Sequence, residues 1–116
     1  MVGVRFRPQG RDRDGVDCVG LAAVALHAGG FAGAVPCGYR LRGGEPGAVM
    51  AMLDAVLARV DDERPGDVLL CAAGPGQVHL AIGVKAGIVH ADAGIGRVVE
   101  RPGAVPWPVL GRWRLR

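Results

Sequence analysis

The chain has 116 residues, half of them apolar, and its 14 lysine and arginine residues exceed its 11 acidic residues by a formal charge of +3. This length fits one domain, residues 1–116, and the apolar fraction excludes a disordered chain. Glycines and a proline interrupt the uncharged segment 19–38, which excludes a membrane span, and the lack of aromatic residues interleaved with basic ones argues against nucleic-acid binding.

The first half of the chain predicts two helices. Residues 1–16 are predicted as an extended arm and a turn, and Asp17 is a suitable N-cap for a helix from Cys18 to about Ala28. The pair Gly29-Gly30 ends this helix, and residues 31–44 are predicted as a loop. A second helix begins at the sequence GEPG, because proline is favoured in a first helical turn. Five apolar residues form one stripe along it: Val49, Leu53, Val56, Leu57 and Val60.

The second half of the chain predicts strands, because short runs rich in apolar and β-branched residues lie between turn-forming residues. Helices followed by a series of strands indicate an α+β domain. The five predicted strands are Val68–Ala72, Gln77–Val84, Gly87–Ala91, Gly96–Arg101 and Gly111–Leu115.

Cys18 stands where a charged segment gives way to an apolar run, in the first turn of the first predicted helix. Unpaired backbone N–H groups and the helix dipole stabilise an anion at that position. They are expected to lower the pKa of the thiol and to make it a nucleophile. On position alone, a small buried residue without any chemistry fits Cys18 equally well.

Two histidines fall on neighbouring predicted strands. His79 shares a strand face with alanine and glycine, which leaves open room above its ring, and His90 shares a face with Asp92. The two strands are expected to form a hairpin that turns near residues 85–87. With a two-residue loop, paired positions sum to an odd number, so both rings lie on one face, directly opposite or one diagonal apart. A three-residue loop would need a bulge to restore this register. The rings are then within hydrogen-bonding reach. Together with Cys18 they match a nucleophile, a base and a residue that orients the base.

No metal ion or other cofactor is predicted, because the cysteines and histidines lack the short spacing of zinc ligands. There are three cysteines, so at least one lies outside any internal disulfide. Cys37 and Cys71 are expected to be unreactive. Trp107 and Trp113 are expected to cover one end of the core.

Three motifs, in this order along the chain, are similar to those of the NlpC-type cysteine peptidases, which are papain-like bacterial cell-wall endopeptidases. The first is RFRPQGRDRDGVDCVGL, which resembles the cysteine motif of the family. The second is RPGDVLL, which resembles the family's P-G-D at the start of a strand, and the third is VHLAIGVKAGIVHA, which resembles its histidine hairpin. The likeness covers about residues 5–101. Six residues of the first motif match in register: Gly10, Gly15, Asp17, Cys18, Gly20 and Leu21.

The resemblance implies a papain-like fold, in which an antiparallel β-sheet packs against helices and the nucleophile lies at the N-terminus of a helix. It implies that Cys18 is the catalytic nucleophile, that His79 is the general base and that His90 is the third polar residue. The substrate it implies is the stem peptide of peptidoglycan, cut between the γ-D-glutamyl residue and the diamino acid.

The sequence departs from the family pattern around the nucleophile. Phe6 stands where the family has a tyrosine, and Val19 stands where the family has a serine that faces the substrate cleft. Pro8 and Gln9 replace a Trp-Gly pair, and Gln9 is a candidate donor to the oxyanion. The residues expected to bind substrate are Phe6, Gln9, Asp17 and Val19.

The leading hypothesis is a thiol hydrolase that cuts peptidoglycan stem peptides through a Cys-His-His triad and an acyl-enzyme. No apolar signal segment precedes residue 17, which predicts a protein that is cytoplasmic as synthesised. Action in the periplasm or at the cell wall then requires delivery by a particle, such as a phage-like tail. Two alternatives remain: a thiol amidase or acyltransferase for a small non-wall amide, and a non-catalytic assembly module that keeps the fold.

Overall fold

The computed structural model describes residues 1–8, 10–33 and 46–116, which form an α+β fold with two helices and a mostly antiparallel sheet. The predicted α+β class is confirmed. Strands β1 and β2 form a small hairpin, and the other six strands form one sheet in the order β3-β8-β4-β5-β6-β7. The helices are α1 (Cys18–Ala28) and α2 (Pro46–Val56). The strands are β1 (Arg11–Asp12), β2 (Gly15–Val16), β3 (Ala58–Arg59), β4 (Val68–Gly74), β5 (Gln77–Val84), β6 (Gly87–Asp92), β7 (Arg97–Pro102) and β8 (Val109–Arg114).

Helix α1 has the predicted bounds, because both of its ends carry local signals. The Asp17 carboxylate accepts a hydrogen bond of 2.8 Å from the Gly20 N–H, which satisfies one of the free donors of the first turn. At the other end the Gly29 N–H donates to the carbonyl oxygen of Ala25 at 3.0 Å. Gly30 then adopts a φ of +103°, a conformation that glycine permits.

Three glycines allow the β1–β2 hairpin to pack against the first turn of α1. A Cβ atom added at Gly20 would overlap the carbonyl oxygen of Gly10. One added at Gly10 would overlap the carbonyl oxygen of Gly15, and one added at Gly15 would overlap the Cβ atom of Arg7. Backbone therefore lies directly against backbone here, which fixes the hairpin relative to the start of the helix.

We expect Gly20→Ala to lower the free energy of unfolding by about 1–3 kcal/mol, because the added methyl group forces the hairpin backbone away from the helix. Gly47→Ala is the matched control, since Gly47 is an exposed residue of α2 where an added Cβ meets no atom within 4 Å. The control should be neutral or up to about 1 kcal/mol more stable, because alanine favours a helix over glycine. Urea denaturation measures both, and equal stabilities would contradict the close contact at Gly20.

Helix α2 ends before the end of the predicted apolar stripe. Val49 and Leu53 are buried on the helix, and Leu57 is buried just beyond its last residue. Val56 is 39% exposed, so the prediction that it belongs to the buried stripe is wrong. The physical reason is that the chain leaves the helix to form β3, which pairs with β8, so Val60 also lies outside the helix.

All five predicted strands are present as β4 to β8, and their ends differ from the predicted ends by no more than two residues. Strands β1, β2 and β3 are not predicted, because strands of two residues carry no readable periodicity. The loop predicted over residues 31–44 lies outside the described residues beyond residue 33, and so does Cys37. Within the described segments, α1 and α2 have 11 residues each, too few to cross a bilayer.

The six-stranded sheet is covered on both faces. One face, which includes Leu70 and Leu80, forms the main core together with the two helices. The other face packs against Val105 and Trp107, which belong to the connection between β7 and β8, residues 103–108. Four residues of that face are buried beneath this connection: Leu69, Cys71, Ala81 and Ile88.

Candidate active site

Strands β5 and β6 begin as a regular hairpin and then separate. Lys85 and Ala86 form its two-residue turn, and the ladder between the strands ends at the pair Ile82↔Val89. Beyond that pair β5 remains bonded to β4, while β6 remains bonded to β7. A gap therefore opens in the sheet on the side away from the turn.

The register of this hairpin places His79 and His90 on one face, one diagonal apart. Nε2 of His79 and Nδ1 of His90 are 3.0 Å apart, which is a hydrogen bond. The ring planes are nearly perpendicular, at 89°, and the ring centroids are 5.1 Å apart. The contact predicted from the loop length is therefore confirmed.

Trp107 packs against both imidazoles. Its ring centroid lies 5.1 Å from that of His79 and 5.2 Å from that of His90, with steep interplanar angles in both cases. Edge-to-face contacts of this kind fix ring orientation as well as burying surface. The sequence predicts only a core-covering role for Trp107, because no local pattern shows the path of residues 103–108 across the sheet.

Cys18 reaches the gap between β5 and β6 from the main-core side. The backbone N–H groups of Leu80, Val19 and Cys18 itself are close enough to the sulfur to favour the thiolate form. Leu80 lies on β5 beyond the last pair with β6, so its N–H faces the sulfur in the region where the neighbouring strand has departed. The start of α1 is thereby joined to the edge of the gap.

One cavity of about 330 Å³ contains all three side chains that the sequence predicts to be catalytic. Cys18, His79 and His90 line it, together with Phe6 and Trp107. No hydrogen bond joins the thiol to either imidazole within the described segments; His79 bonds His90, and the thiol bonds backbone groups. The remaining lining residues are Ala73, Gln77, Val78, Ala91, Asp92, Ala93 and Gly94.

The thiol of Cys18 is protonated at neutral pH, which corrects the expectation of a lowered pKa. Burial raises the pKa of Cys18 to about 12, and the charge of Asp17 adds to the rise. The N–H groups at the helix start favour the thiolate, but they do not offset the burial of a residue that is only 3% exposed. A position in the first helical turn says nothing about depth below the surface, so the sequence does not reveal this effect.

Both imidazoles of the pair are neutral at neutral pH. Burial and, less strongly, the neighbouring His90 lower the pKa of His79 to about 4, against an opposing effect of Asp92. Burial also lowers the pKa of His90. A neutral imidazole has a free lone pair, so the pair is in the state required to accept a proton.

We expect the free energy of unfolding to fall by roughly 3 kcal/mol as the pH decreases from 6.5 to 4, since each pKa unit is worth about 1.4 kcal/mol. The unfolded chain protonates His79 near pH 6.5 and the folded chain only near pH 4, so acid favours the unfolded state within this window. Chemical denaturation at stepped pH measures the slope. His79→Gln should remove most of it, whereas Gln77→Ala, a non-titrating change in the same cavity, should keep it. A slope that His79→Gln leaves intact would contradict the lowered pKa.

The four residues predicted to bind substrate are placed differently from one another. Phe6 lines the cavity. Asp17 is only 4% exposed and Val19 only 2%, and neither lines the cavity. Asp17 caps α1 and Val19 packs into the main core, so the structure does not bring these two residues to the cavity, and their contact with substrate stays a prediction. Gln9 lies outside the described residues.

Two further residues near the histidines have structural roles. Asp92 lines the cavity, and its Oδ1 atom accepts a hydrogen bond of 2.9 Å from the Ile95 N–H in the turn that follows β6. Cys71 lies opposite His79 in the β4–β5 ladder, and burial raises the pKa of its thiol to about 11. Among the described residues, no group of three or more histidine, cysteine or acidic side chains has an arrangement suited to a metal ion.

No protein-family model matches the chain, and no curated protein sequence matches it.

Proposed function

We propose that the protein is a papain-like thiol hydrolase of the NlpC type, which cleaves the bond between γ-D-glutamate and the diamino acid in peptidoglycan stem peptides. The observation that carries the proposal is the meeting of Cys18 and the hydrogen-bonded pair of His79 and His90 in one cavity. Cys18 stands at the first residue of a helix, and the two histidines stand on two strands.

In the proposed mechanism Nε2–H of His79 donates the hydrogen bond that joins the two rings, and Nδ1 of His90 accepts it. This choice of tautomer leaves Nδ1 of His79 unprotonated and able to accept a proton. His79 then acts as the general base, and His90 holds its tautomer and orientation. Trp107 supports both rings from the side.

The reaction begins as the Sγ–H proton of Cys18 passes to Nδ1 of His79 while the sulfur attacks the scissile carbonyl carbon. Because the free thiol and the free imidazole are both neutral, proton transfer accompanies attack and does not precede it. The carbonyl oxygen takes up the negative charge, and N–H groups at the start of α1 are the donors proposed to stabilise it. Collapse breaks the C–N bond, and His79 returns its proton to the leaving amine.

The second half of the reaction releases the acyl group. A water molecule gives a proton to His79 and attacks the thioester carbonyl carbon, and the C–S bond breaks as the proton returns to the sulfur. The products are a carboxylic acid and the regenerated thiol. This sequence consumes one water molecule for each peptide bond and requires no other reactant.

The depth of the thiol favours a second candidate function, a non-catalytic assembly module that keeps the fold. A thiol that is 3% exposed, with a pKa of about 12, is also what a purely structural cysteine would have. A thiol amidase or acyltransferase for a small non-wall amide would use the same residues and differs only in substrate. The products of the reaction separate these possibilities.

The proposal is tested by incubating purified peptidoglycan with the protein and identifying the released fragments by mass spectrometry. Cys18→Ser is the inactive variant, because it removes the thiol that attacks the carbonyl carbon. Serine is chosen because its hydroxyl still offers an acceptor to the Leu80 N–H. Cys71→Ser is the matched control, the same change at a second buried cysteine, which lies on β4. We expect stem-peptide fragments from the wild type and from Cys71→Ser, and none from Cys18→Ser. Folded wild-type protein that releases no fragments would refute cleavage of this substrate.

A further inference from the structure

A second depression, of about 1000 Å³, lies beside the candidate active site and is strongly basic. The N-terminal arm, the β1–β2 turn and the start of β7 form its walls. Its charged residues are Arg5, Arg7, Arg13, Arg97 and Asp14.

Within the described segments the excess of positive charge is concentrated at this depression. Those segments hold 12 basic and 10 acidic residues, and the depression holds four of the basic residues and one of the acidic residues. The remaining eight basic residues of the described segments are outnumbered by nine acidic residues. A local positive field of this kind attracts anions to one place on the surface.

The four arginines of the depression form no salt bridge within the described segments, in contrast to the arginines near β8. Arg59, Arg112 and Arg114 each lie within 4.0 Å of a carboxylate, as does Arg64. In the depression, Arg5 and Arg97 are directly opposite each other in an antiparallel bridge. Like charges in opposed positions destabilise a sheet, so the fold holds an unfavourable contact that a bound anion would relieve.

Backbone hydrogen bonds fix the arm that carries two of these arginines. The Phe6 N–H donates to the carbonyl oxygen of Gly96 at 2.8 Å, and the Arg7 N–H donates to that of Val16 at 3.0 Å. The Val16 N–H donates in return to the carbonyl oxygen of Arg5 at 3.0 Å. The arginines therefore stand on a fixed backbone, and less ordering is needed when a ligand binds.

The depression and the candidate active-site cavity share the same chain segments. Phe6 lines the cavity, whereas its neighbours Arg5 and Arg7 line the depression. Asp92 lines the cavity and is paired in the sheet with Arg97, which lines the depression. A single extended molecule would thus reach from one to the other.

We propose that this arginine depression binds oxyanion groups, phosphate or carboxylate, on the same wall polymer whose peptide bond enters the cavity. The inference deepens the proposed function and rests on it for the identity of the polymer. Planar guanidinium groups bind both oxyanions through paired N–H donors, which is why four unneutralised arginines fit this chemistry. The two sources are the phosphate polymers attached to the wall and the carboxylates of the stem peptides.

The test measures binding without cleavage, so that it is independent of catalysis. Every protein carries Cys18→Ser, and its co-sedimentation with insoluble peptidoglycan is measured at increasing salt concentration. Arg5→Gln with Arg97→Gln should weaken binding about tenfold or more and reduce its salt dependence. The control, Arg64→Gln with Arg101→Gln, removes the same charge elsewhere on exposed residues and should bind as the parent does.

The same experiment on peptidoglycan stripped of phosphate polymers separates the two sources. Binding lost on stripping assigns the site to phosphate, and binding retained assigns it to carboxylate. Equal loss in the test and control variants, or binding insensitive to salt, would overturn the inference. Arginine-dependent binding without cleavage by wild-type protein would refute the hydrolase alone, and cleavage without arginine dependence would refute the depression alone.

A second readout is thermal stability, which is measured without the wall polymer. Arg97→Gln should raise the midpoint of thermal unfolding at low salt, because it removes the opposed like charge at Arg5. Added inorganic polyphosphate should stabilise the parent more than the variant. Lower stability of Arg97→Gln, or equal stabilisation of the two proteins by polyphosphate, would count against an anion site.

Discussion

Replacement of His79 by alanine is expected to lower kcat for stem-peptide cleavage by about 10³-fold, the usual contribution of a general acid–base group. In the proposed mechanism the imidazole takes the proton of the buried thiol, which burial keeps protonated by raising its pKa to about 12. The loss should appear in kcat, because the base acts on the reacting atoms and contributes little to holding substrate. Initial rates on a defined stem peptide measure it.

Two further variants test whether the loss of kcat is specific to His79. His27→Ala changes an exposed histidine at the far end of α1 and should leave kcat within a factor of about two, as surface substitutions usually do. His90→Ala should reduce kcat less than His79→Ala does, because His90 acts on the reaction only through its hydrogen bond to His79. Full activity of His79→Ala would exclude it as the base, and a larger loss from His90→Ala would reverse the two roles.

Asp67→Ala should lower the free energy of unfolding by about 3 kcal/mol or more, the usual cost of removing one partner from a buried ion pair. Asp67 is fully buried at the start of β4, and both of its carboxylate oxygens accept hydrogen bonds from Arg114, at 2.8 and 3.0 Å. Oδ2 also accepts from the Arg64 N–H at 3.0 Å. Burial alone would raise the pKa of Asp67, but Arg114 and the Arg64 N–H outweigh it and the pKa is lowered.

Urea denaturation at neutral pH tests this expectation. Asp61→Ala is the control, because Asp61 is an exposed acidic residue of the same loop, and that variant should stay within about 0.5 kcal/mol of the wild type. Similar stabilities for the two variants would mean that the Asp67–Arg114 contact contributes no net stability.

Local chemistry explains what the sequence predicts correctly. The bounds of α1 follow from a capping aspartate and a glycine pair, and each of these acts within one helical turn. The contact between His79 and His90 follows from the length of the turn. A turn of two residues fixes which residues of the two strands are paired, and therefore which side chains lie on the same face of the sheet. Both inferences need only a few neighbouring residues.

The features that the sequence does not reveal depend on contacts between distant segments. Trp107 meets the histidines because a connection crosses the sheet, and Cys18 is deep because it belongs to the main core cluster, which residues from distant parts of the chain complete. Val19 lies in the first turn of α1, as predicted, yet faces the core. The position of a residue along an element is local information, but its depth is decided by what the rest of the chain places above it.

Cys18 has a second role in the proposed mechanism besides that of nucleophile, because the Leu80 N–H faces its sulfur in the region where β6 departs from β5. On this proposal a residue at position 18 meets two separate demands, reactivity toward a carbonyl group and a polar atom that faces an amide of β5. A substitution that alters the chemistry then also changes the surroundings of that strand amide.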